Sequence, residues 1–287
     1  TYEEIARVAR VAVERFGFDS LRITGGEPTV RAHLPKLVEL LAELGTDLAL
    51  TTNGVKLPEL AADLARAGLR RVNISLDSLR KDTFLRLTRR DGLDDVIRGI
   101  EAAVEAGLAP VKVNAVVIRG VNDDEVVDIA RFGRERGVSL RFIEFMPLDA
   151  DGEWTRDRVV PAAEILGRID EAFPLDRGGA LDDNSRHTEP ASVFRYLDGT
   201  GDVGVIASVT EPFCGDCDRV RLTAEGGLRA CLFALEETDL RTILRGGGTD
   251  EDLARAMRSC VGGKWAGHHI GRVDFVRPGK SMSQIGG

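Results

Sequence analysis

Asp47–Asp77 reads DLALTTNGVKLPELAADLARAGLRRVNISLD. Each end is a short, largely apolar run closed by Thr, Asn, Ser or Asp, and between them Leu57–Ala67 repeats apolar residues at helical spacing. The segment predicts strand, helix, strand. The unit recurs on both sides. Upstream, Ile5, Val8, Ala9, Val11, Ala12 and Phe16 keep a helical period that Gly17 stops, the strand SLRITGG (20–26) follows, and a helix runs through Leu34–Leu44. Downstream come helices through Asp82–Ala106, the strand VKVNAVVI (111–118), a helix through Asp123–Arg136 and the strand SLRFIEFMP (139–147). Strands alternating with helices of this length predict βαβ units and a parallel sheet. Periodicity alone leaves a barrel and an open, doubly wound sheet both open. Thr24, Thr51, Asn53, Ser75, Asp77 and Glu144 gather toward the carboxyl ends of these strands. That is where parallel α/β folds hold ligands, so the distribution predicts an active face.

After Pro147 the rhythm changes. A loop leads to a helix over Ala162–Ala172, and a polar connection (175–192) leads to short strands at SVFRYL (192–197), VGVIASV (203–209) and RVRLT (219–223). Helices are expected at Leu240–Leu244 and Glu251–Val261. The end, GRVDFVRPGKSMSQIGG, has no period and by itself reads as a frayed tail.

The chain has 287 residues and a net charge of −8, from 39 basic and 47 acidic side chains. Bulk attraction to nucleic acid or to an anionic membrane is not expected, so a polyanion would have to be gripped locally. No apolar run of about 18 residues could span a bilayer, and the start carries no signal-peptide pattern. A soluble cytoplasmic protein is expected. Thr1 already stands within a helical pattern, which reads as the interior of a longer chain.

Phe213–Phe233, FCGDCDRVRLTAEGGLRACLF, carries the chemistry. Cys214 and Cys217 are separated by two residues, thirteen more precede Cys231, and the fourth cysteine of the chain, Cys260, lies among apolar neighbours at helical spacing and reads as core. Three thiolates suit zinc or iron, and most such sites take four ligands. A structural zinc completed by His268 or His269 and a [4Fe–4S] cluster with one open iron are both open. Arg219 and Arg221 alternate along VRL, so a strand would put both guanidiniums on one face beside the thiols, as a phosphate or carboxylate clamp. Taken alone, alternating arginines commonly mark a solvated face. TGGEP (24–28) joins two glycines, which admit close approach of backbone to a ligand, to the carboxylate of Glu27, which suits an ammonium group. Lys112, early in a strand with a buried pattern, needs a partner or a ligand. No GxGxxG, Walker loop or HExxH pair is present in the sequence.

In this order, LRITGGEPTVR, TTNG, VNISLDSL, VKVNAVV, RFIEFMP, FCGDCDRVRL…CLF and the terminal IGG resemble the GTP 3',8-cyclase family of radical S-adenosylmethionine (SAM) enzymes, the molybdenum cofactor biosynthesis A proteins. The likeness spans nearly the whole chain. It implies an incomplete (βα)6 TIM-like barrel over residues 1–147, missing its first strand, and a C-terminal α+β cluster- and substrate-binding region with a Gly-Gly tail over 148–287. It implies that Cys214, Cys217 and Cys231 hold a [4Fe–4S] cluster whose open iron faces guanine. Arg22, Thr51, Lys112, Arg219, Val220 and Arg221 match contacts to GTP. Gly26, Ser75 and Met146 match contacts to SAM, with Glu27 beside its amino group. Gly286 and Gly287 match a tail that enters the active site, where with Arg219 and Arg221 they would serve the reaction. The reaction implied begins with SAM cleavage at a reduced cluster, proceeds by hydrogen abstraction from C3' of GTP and attack on C8, and gives 3',8-cyclo-7,8-dihydro-GTP. A downstream pterin-forming enzyme would take the product, and a homodimer is expected.

One feature departs from the family pattern. The CxxxCxxC that holds the family's first [4Fe–4S] cluster does not occur in these 287 residues. The expectation is a chain that lacks this segment, leaves the TGGEP strand at a sheet edge and does not by itself cleave SAM. Two other readings are kept: a zinc-stabilised α/β nucleotide- or partner-binding module, and a different twin-cluster radical SAM enzyme.

Overall fold

The computed structural model describes residues 1–148, 152–176, 190–264, 267, 270, 275–279 and 282. In chain order it has α1 (Tyr2–Phe16), β1 (Ser20–Ile23), α2 (Leu34–Ala42), β2 (Asp47–Thr52), α3 (Leu57–Arg66), β3 (Arg71–Ser75), α4 (Lys81–Thr88), α5 (Leu93–Glu105), β4 (Val111–Val117), α6 (Val126–Arg136) and β5 (Ser139–Glu144). These continue with α7 (Ala162–Ala172), β6 (Ser192–Arg195), β7 (Asp202–Ile206), β8 (Arg221–Leu222), β9 (Gly227–Arg229), β10 (Thr238–Asp239), α8 (Leu240–Arg245) and α9 (Asp250–Gly262). The βα rhythm read from the sequence is present through β5.

Seven strands form one sheet in the order β1-β2-β3-β4-β5-β7-β6. All neighbours are parallel except β6, which runs antiparallel to β7. The sheet therefore continues past Pro147, because VGVIASV supplies a parallel strand beside β5 rather than a separate layer. β1 lies at one edge. The remaining short strands make a second sheet, β10-β9-β8.

Alternation gives the main sheet two unlike faces. On one, Leu48, Leu50, Val72, Ile74, Val113, Leu140, Phe142 and Val203 are buried and form one core with Leu37 and Leu41 of α2, Leu64 of α3, Ile100 of α5, Ile129 of α6 and Ile165 of α7. Burial of this face, at roughly 25 cal/mol per Å² of apolar surface, is what makes the register specific, since a slip of one residue would exchange the faces. Gly54, closing TTNG with φ 82°, serves this packing: a Cβ on Gly99 of α5 would collide with the Gly54 carbonyl oxygen.

Helix α1 ties the two ends of the chain together. It opens on a capping box between Thr1 and Glu4 and closes on Gly17 in the left-handed region, φ 71°. Ile5 and Ala9 pack on the core of the main sheet. Val8, Val11 and Ala12 instead form a second core with Leu228 of β9, Leu240 of α8, and Leu253, Ala254 and Met257 of α9. Arg7 adds bonds to Asp250 at 2.7 Å and to the Gly248 carbonyl at 2.8 Å. Cys260 packs against this second core and its thiol donates to the Leu228 carbonyl at 3.5 Å, in keeping with a packing role. Among the described residues no helix is long and apolar enough to cross a membrane.

Candidate functional site

The second face of the main sheet is polar. Register sets its side chains in rows: Arg22, Ala49 and Arg71; then Thr51, Asn73, Lys112 and Ser139; then Ser75, Asn114, Arg141 and Gly204. Two of these cations are held by neighbouring acids. Arg71 pairs with Asp47 at 2.5 Å and Arg141 with Asp202 at 2.7 Å. In the middle row Thr51 Oγ1 and Asn73 Oδ1 are buried without a hydrogen-bond partner. An unsatisfied buried polar atom costs about 1–3 kcal/mol, so adjacent ones mark a surface shaped for something other than packing.

At the carboxyl ends the TGGEP loop is fixed by its own acid. Glu27 Oε1 accepts from Thr29 N at 3.0 Å, Thr29 Oγ1 at 2.5 Å and Thr52 Oγ1 at 2.6 Å, while Oε2 accepts from Asn53 N at 2.7 Å. The carboxylate thus clips the first strand's loop to the second strand's end and keeps acceptor capacity on Oε2. Gly26 and Ser75 are exposed beside it. Asp77 accepts from Val116 N at 2.8 Å, and burial, opposed by that bond, pushes its pKa up to about 6.

Glu144 corrects the sequence reading of the active face. It is 1% exposed, and its carboxylate accepts from Ala162 N at 2.9 Å, Val209 N at 2.7 Å, Thr210 N at 2.8 Å and Thr210 Oγ1 at 2.5 Å. It fastens the end of β5 to the start of α7 and to the loop that leaves β7 for the cysteines. A buried anion with four donors is a structural joint, and nothing of it faces a ligand.

That loop enters the turn Cys214–Cys217, closed by Cys217 N donating to the Cys214 carbonyl at 3.4 Å. Arg219 returns over it, its Nη2 donating to Cys217 Sγ at 3.5 Å and its guanidinium lying 5.1 Å from the centre of the Phe213 ring. Lys264, just past the end of α9, donates to the Cys217 carbonyl, to the Arg219 carbonyl at 3.0 Å and to Cys217 Sγ at 3.7 Å. Burial raises the Cys217 thiol, but the Arg219 backbone hydrogen bond, the Arg219 charge and side-chain bond, and the Lys264 charge outweigh it, and its pKa is lowered. Burial first, then the charges of Arg219 and Arg22, push Arg221 down to about 10, against the opposing pull of Cys231 and Cys217. The charge of Arg22 on β1 is thus felt at Arg221 of the cysteine segment, together with those of Arg219 and two of the thiols. Val220 alternates inward, packing on the core shared by α1 and α9.

A third apolar cluster closes the other side. Leu148 and Phe233 form its centre, with Met146, Cys231, Phe275 and Met282 packed against it, and Met282 N donates to the Leu148 carbonyl at 3.1 Å. The end of β5, the third cysteine and the last described residues of the chain thus share one place. Gly286 and Gly287 lie outside the described residues, as do His268 and His269.

Among the described residues no group of three or more His, Cys, Asp or Glu side chains is gathered closely enough to hold a metal ion. The donor chemistry does fit an iron–sulfur cluster. Three soft thiol ligands stand on one short segment, Cys217 is held toward its thiolate, and Arg219 and Lys264 both donate to its sulfur. Sequence reasoning missed Asn73 and Lys264. Asn73 was visible as a polar residue inside the VNIS strand, between Thr51 and Lys112 once register is known. Lys264 had no signal beyond following the glycine pair that ends α9.

Comparison with known proteins places the chain among relatives. Residues 1–133 match the family model of the radical SAM superfamily, and residues 138–270 match that of Molybdenum Cofactor Synthesis C. A GTP 3',8-cyclase of Rhodopirellula baltica is 47% identical over 293 residues, spanning 100% of this chain and 80% of that protein. A GTP 3',8-cyclase of Streptomyces coelicolor is 48% identical over 289 residues, covering 100% of this chain and 84% of its own length. Among solved structures, Streptococcus suis SuiB bound to S-adenosylmethionine aligns with a TM-score of 0.50 at 20% identity, over 60% of this chain and 39% of that one, a likeness of fold.

Proposed function

The chain belongs to the GTP 3',8-cyclase family of the radical SAM superfamily, and from that premise we propose that its polar sheet face and its cysteine segment together bind GTP and SAM for conversion of GTP to 3',8-cyclo-7,8-dihydro-GTP in molybdenum cofactor synthesis. The sheet is read as an incomplete (βα)6 barrel whose polar concavity is the substrate chamber. The observation that supports this reading most is that Arg221, whose charge is held in a buried place, feels the charges of Arg219, of the Cys217 and Cys231 thiols and of Arg22, about 200 positions away in the chain. Guanidiniums supplied by two distant segments suit a polyanion, and a triphosphate is such a polyanion.

Cys214, Cys217 and Cys231 would hold a [4Fe–4S] cluster, and Gly26, Glu27, Ser75 and Met146 would hold SAM. When bound, these groups would supply radical chemistry at SAM and a Lewis-acidic iron at the three cysteines, the cluster that cleaves SAM needing ligands outside these 287 residues. The protein's own part is orientation. Glu27 Oε2, which among the described residues accepts from Asn53 N, would take the ammonium of the SAM amino-acid moiety. Arg22, Arg219 and Arg221 grip the phosphates, Thr51 and Lys112 meet the nucleoside from the sheet, and the backbone at Val220 lies along it while its side chain anchors the segment. Met146 shares an apolar cluster with Cys231 and Phe233, which supports a site closed to water on that side and keeps the two cofactor sites adjacent.

Anaerobic reconstitution followed by iron, sulfide and GTP-binding assays tests this. About four irons and four sulfides on the three cysteines, with GTP affinity falling about 10- to 100-fold in Arg221→Ala while iron stays loaded, is the expected result. One tightly held zinc without sulfide would replace the reading with a structural metal site, and unchanged GTP affinity in Arg219→Ala and Arg221→Ala would remove the nucleotide assignment.

A further inference from the structure

We infer that Lys264 is a positioning residue for the cluster-binding segment: its ammonium clamps the Cys217–Arg219 backbone and, by donating to Cys217 Sγ, raises the reduction potential of the cluster held there. The inference rests on the reading of the three cysteines as cluster ligands. It starts from a count of protons. An ammonium group has three donors. Lys264 directs all of them at one turn, to the carbonyls of Cys217 and Arg219 and to the Cys217 sulfur. None is left for a phosphate, so Lys264 is not one more member of the arginine clamp.

The anchor behind the ammonium is firm. Lys264 N bonds the Val261 carbonyl at 3.0 Å, as part of the last turn of α9. That helix is held by Leu253, Ala254 and Met257 in the core it shares with α1 and β9. It starts on a capping box between Thr249 and Asp252, which fixes its other end. The lysine therefore transmits the position of a packed helix to a turn that has little core of its own.

Two consequences follow from charge and geometry. First, tying the carbonyls of Cys217 and Arg219 to one point sets the direction in which Arg219 and Arg221 leave the segment. Second, a fixed cation 3.7 Å from a ligand sulfur offsets the negative charge that a cluster gains on reduction, so the reduced form is favoured. Arg219, at 3.5 Å from the same sulfur, acts in the same sense from within the segment, whereas Lys264 reaches it from the end of α9.

The test compares wild type with Lys264→Met, which keeps bulk and removes charge and donors, and Lys264→Arg, which restores both. In reconstituted protein at equal iron and sulfide, an electron-paramagnetic-resonance redox titration reads the potential. Lys264→Met should lower the reduced-to-oxidised ratio at a fixed potential by about tenfold, a fall of about 59 mV for one electron, and Lys264→Arg should recover most of it. In the metal-free proteins, hydrogen exchange of the backbone amides from Cys217 to Arg221 should quicken by about tenfold in Lys264→Met and return toward wild type in Lys264→Arg. A fully loaded Lys264→Met with the wild-type potential overturns the electrostatic role, and equal exchange rates overturn the clamp. Wild-type protein that binds no sulfide defeats the cluster reading itself, and the exchange comparison then judges Lys264 alone.

Discussion

In the main sheet, Arg71 of β3 has Asp47 at 2.5 Å and Arg141 of β5 has Asp202 at 2.7 Å. In the cysteine segment, Arg219 donates to Cys217 Sγ at 3.5 Å, and Arg221 feels the charges of Arg219, Arg22 and two thiols. The sheet places its apolar residues on one face against helices α1 to α7, and its acids neutralise Arg71 and Arg141, buried on the other. The cysteine segment has strands of only two or three residues and borrows its support from α1 and α9 on one side and from the end of β5 on the other. The first region is stabilised by burial and could stand without ligand. The second has a smaller core and sets arginine charge beside thiols, an arrangement suited to a cluster and a polyanion.

The sharpest way to break this contrast is to remove a thiol. Cys217→Ser should cut reconstituted iron from about four to below about one per chain while the urea midpoint of the metal-free protein stays put. A midpoint that falls together with iron binding would mean that the two regions fold as one unit. Leu50→Ala addresses the sheet instead: Leu50 is 0% exposed, and its truncation should cost about 2–5 kcal/mol in urea unfolding. Iron bound per folded chain should not change. Glu144→Gln tests the joint between the regions. An amide in place of the carboxylate turns N–H toward N–H, and we expect a loss of about 2 kcal/mol, read as a lower urea midpoint. Wild-type stability would show that the four bonds are not a joint.

The smallest effect concerns Asp77, whose pKa is pushed up to about 6 by burial. Because its folded pKa lies above the unfolded value, the folded state binds a proton that the unfolded chain has already lost, and the contribution to stability fades as pH rises through about 6. Asp77→Asn should therefore be more stable than wild type by about 1 kcal/mol near pH 7.5, with the gap closing near pH 4. Equal stability at both pH values, followed by thermal unfolding, would remove the assignment.

Much of this molecule was legible in its residues. Helical and two-residue periods, the stop at Gly17 and the alternation of units predict the strands β1–β5 and their parallel pairing, because each pattern is local and each buries one face. The resemblance placed the thiols and arginines in one family before any coordinates. Three things lay beyond reach. The addition of β7 to the sheet depends on a pairing across more than 60 residues, which no local pattern encodes. The polarity of Glu144 looked like chemistry, and only the arrival of Val209, Thr210 and Ala162 around it turned it into a joint. Lys264 was one lysine after a helix stop until the packing of α9 carried it to Cys217. Short-range preference is written along the chain, while the meeting of charged groups is a property of the packed whole, since a few ångströms decide whether a charge has a partner and the sequence does not state distances.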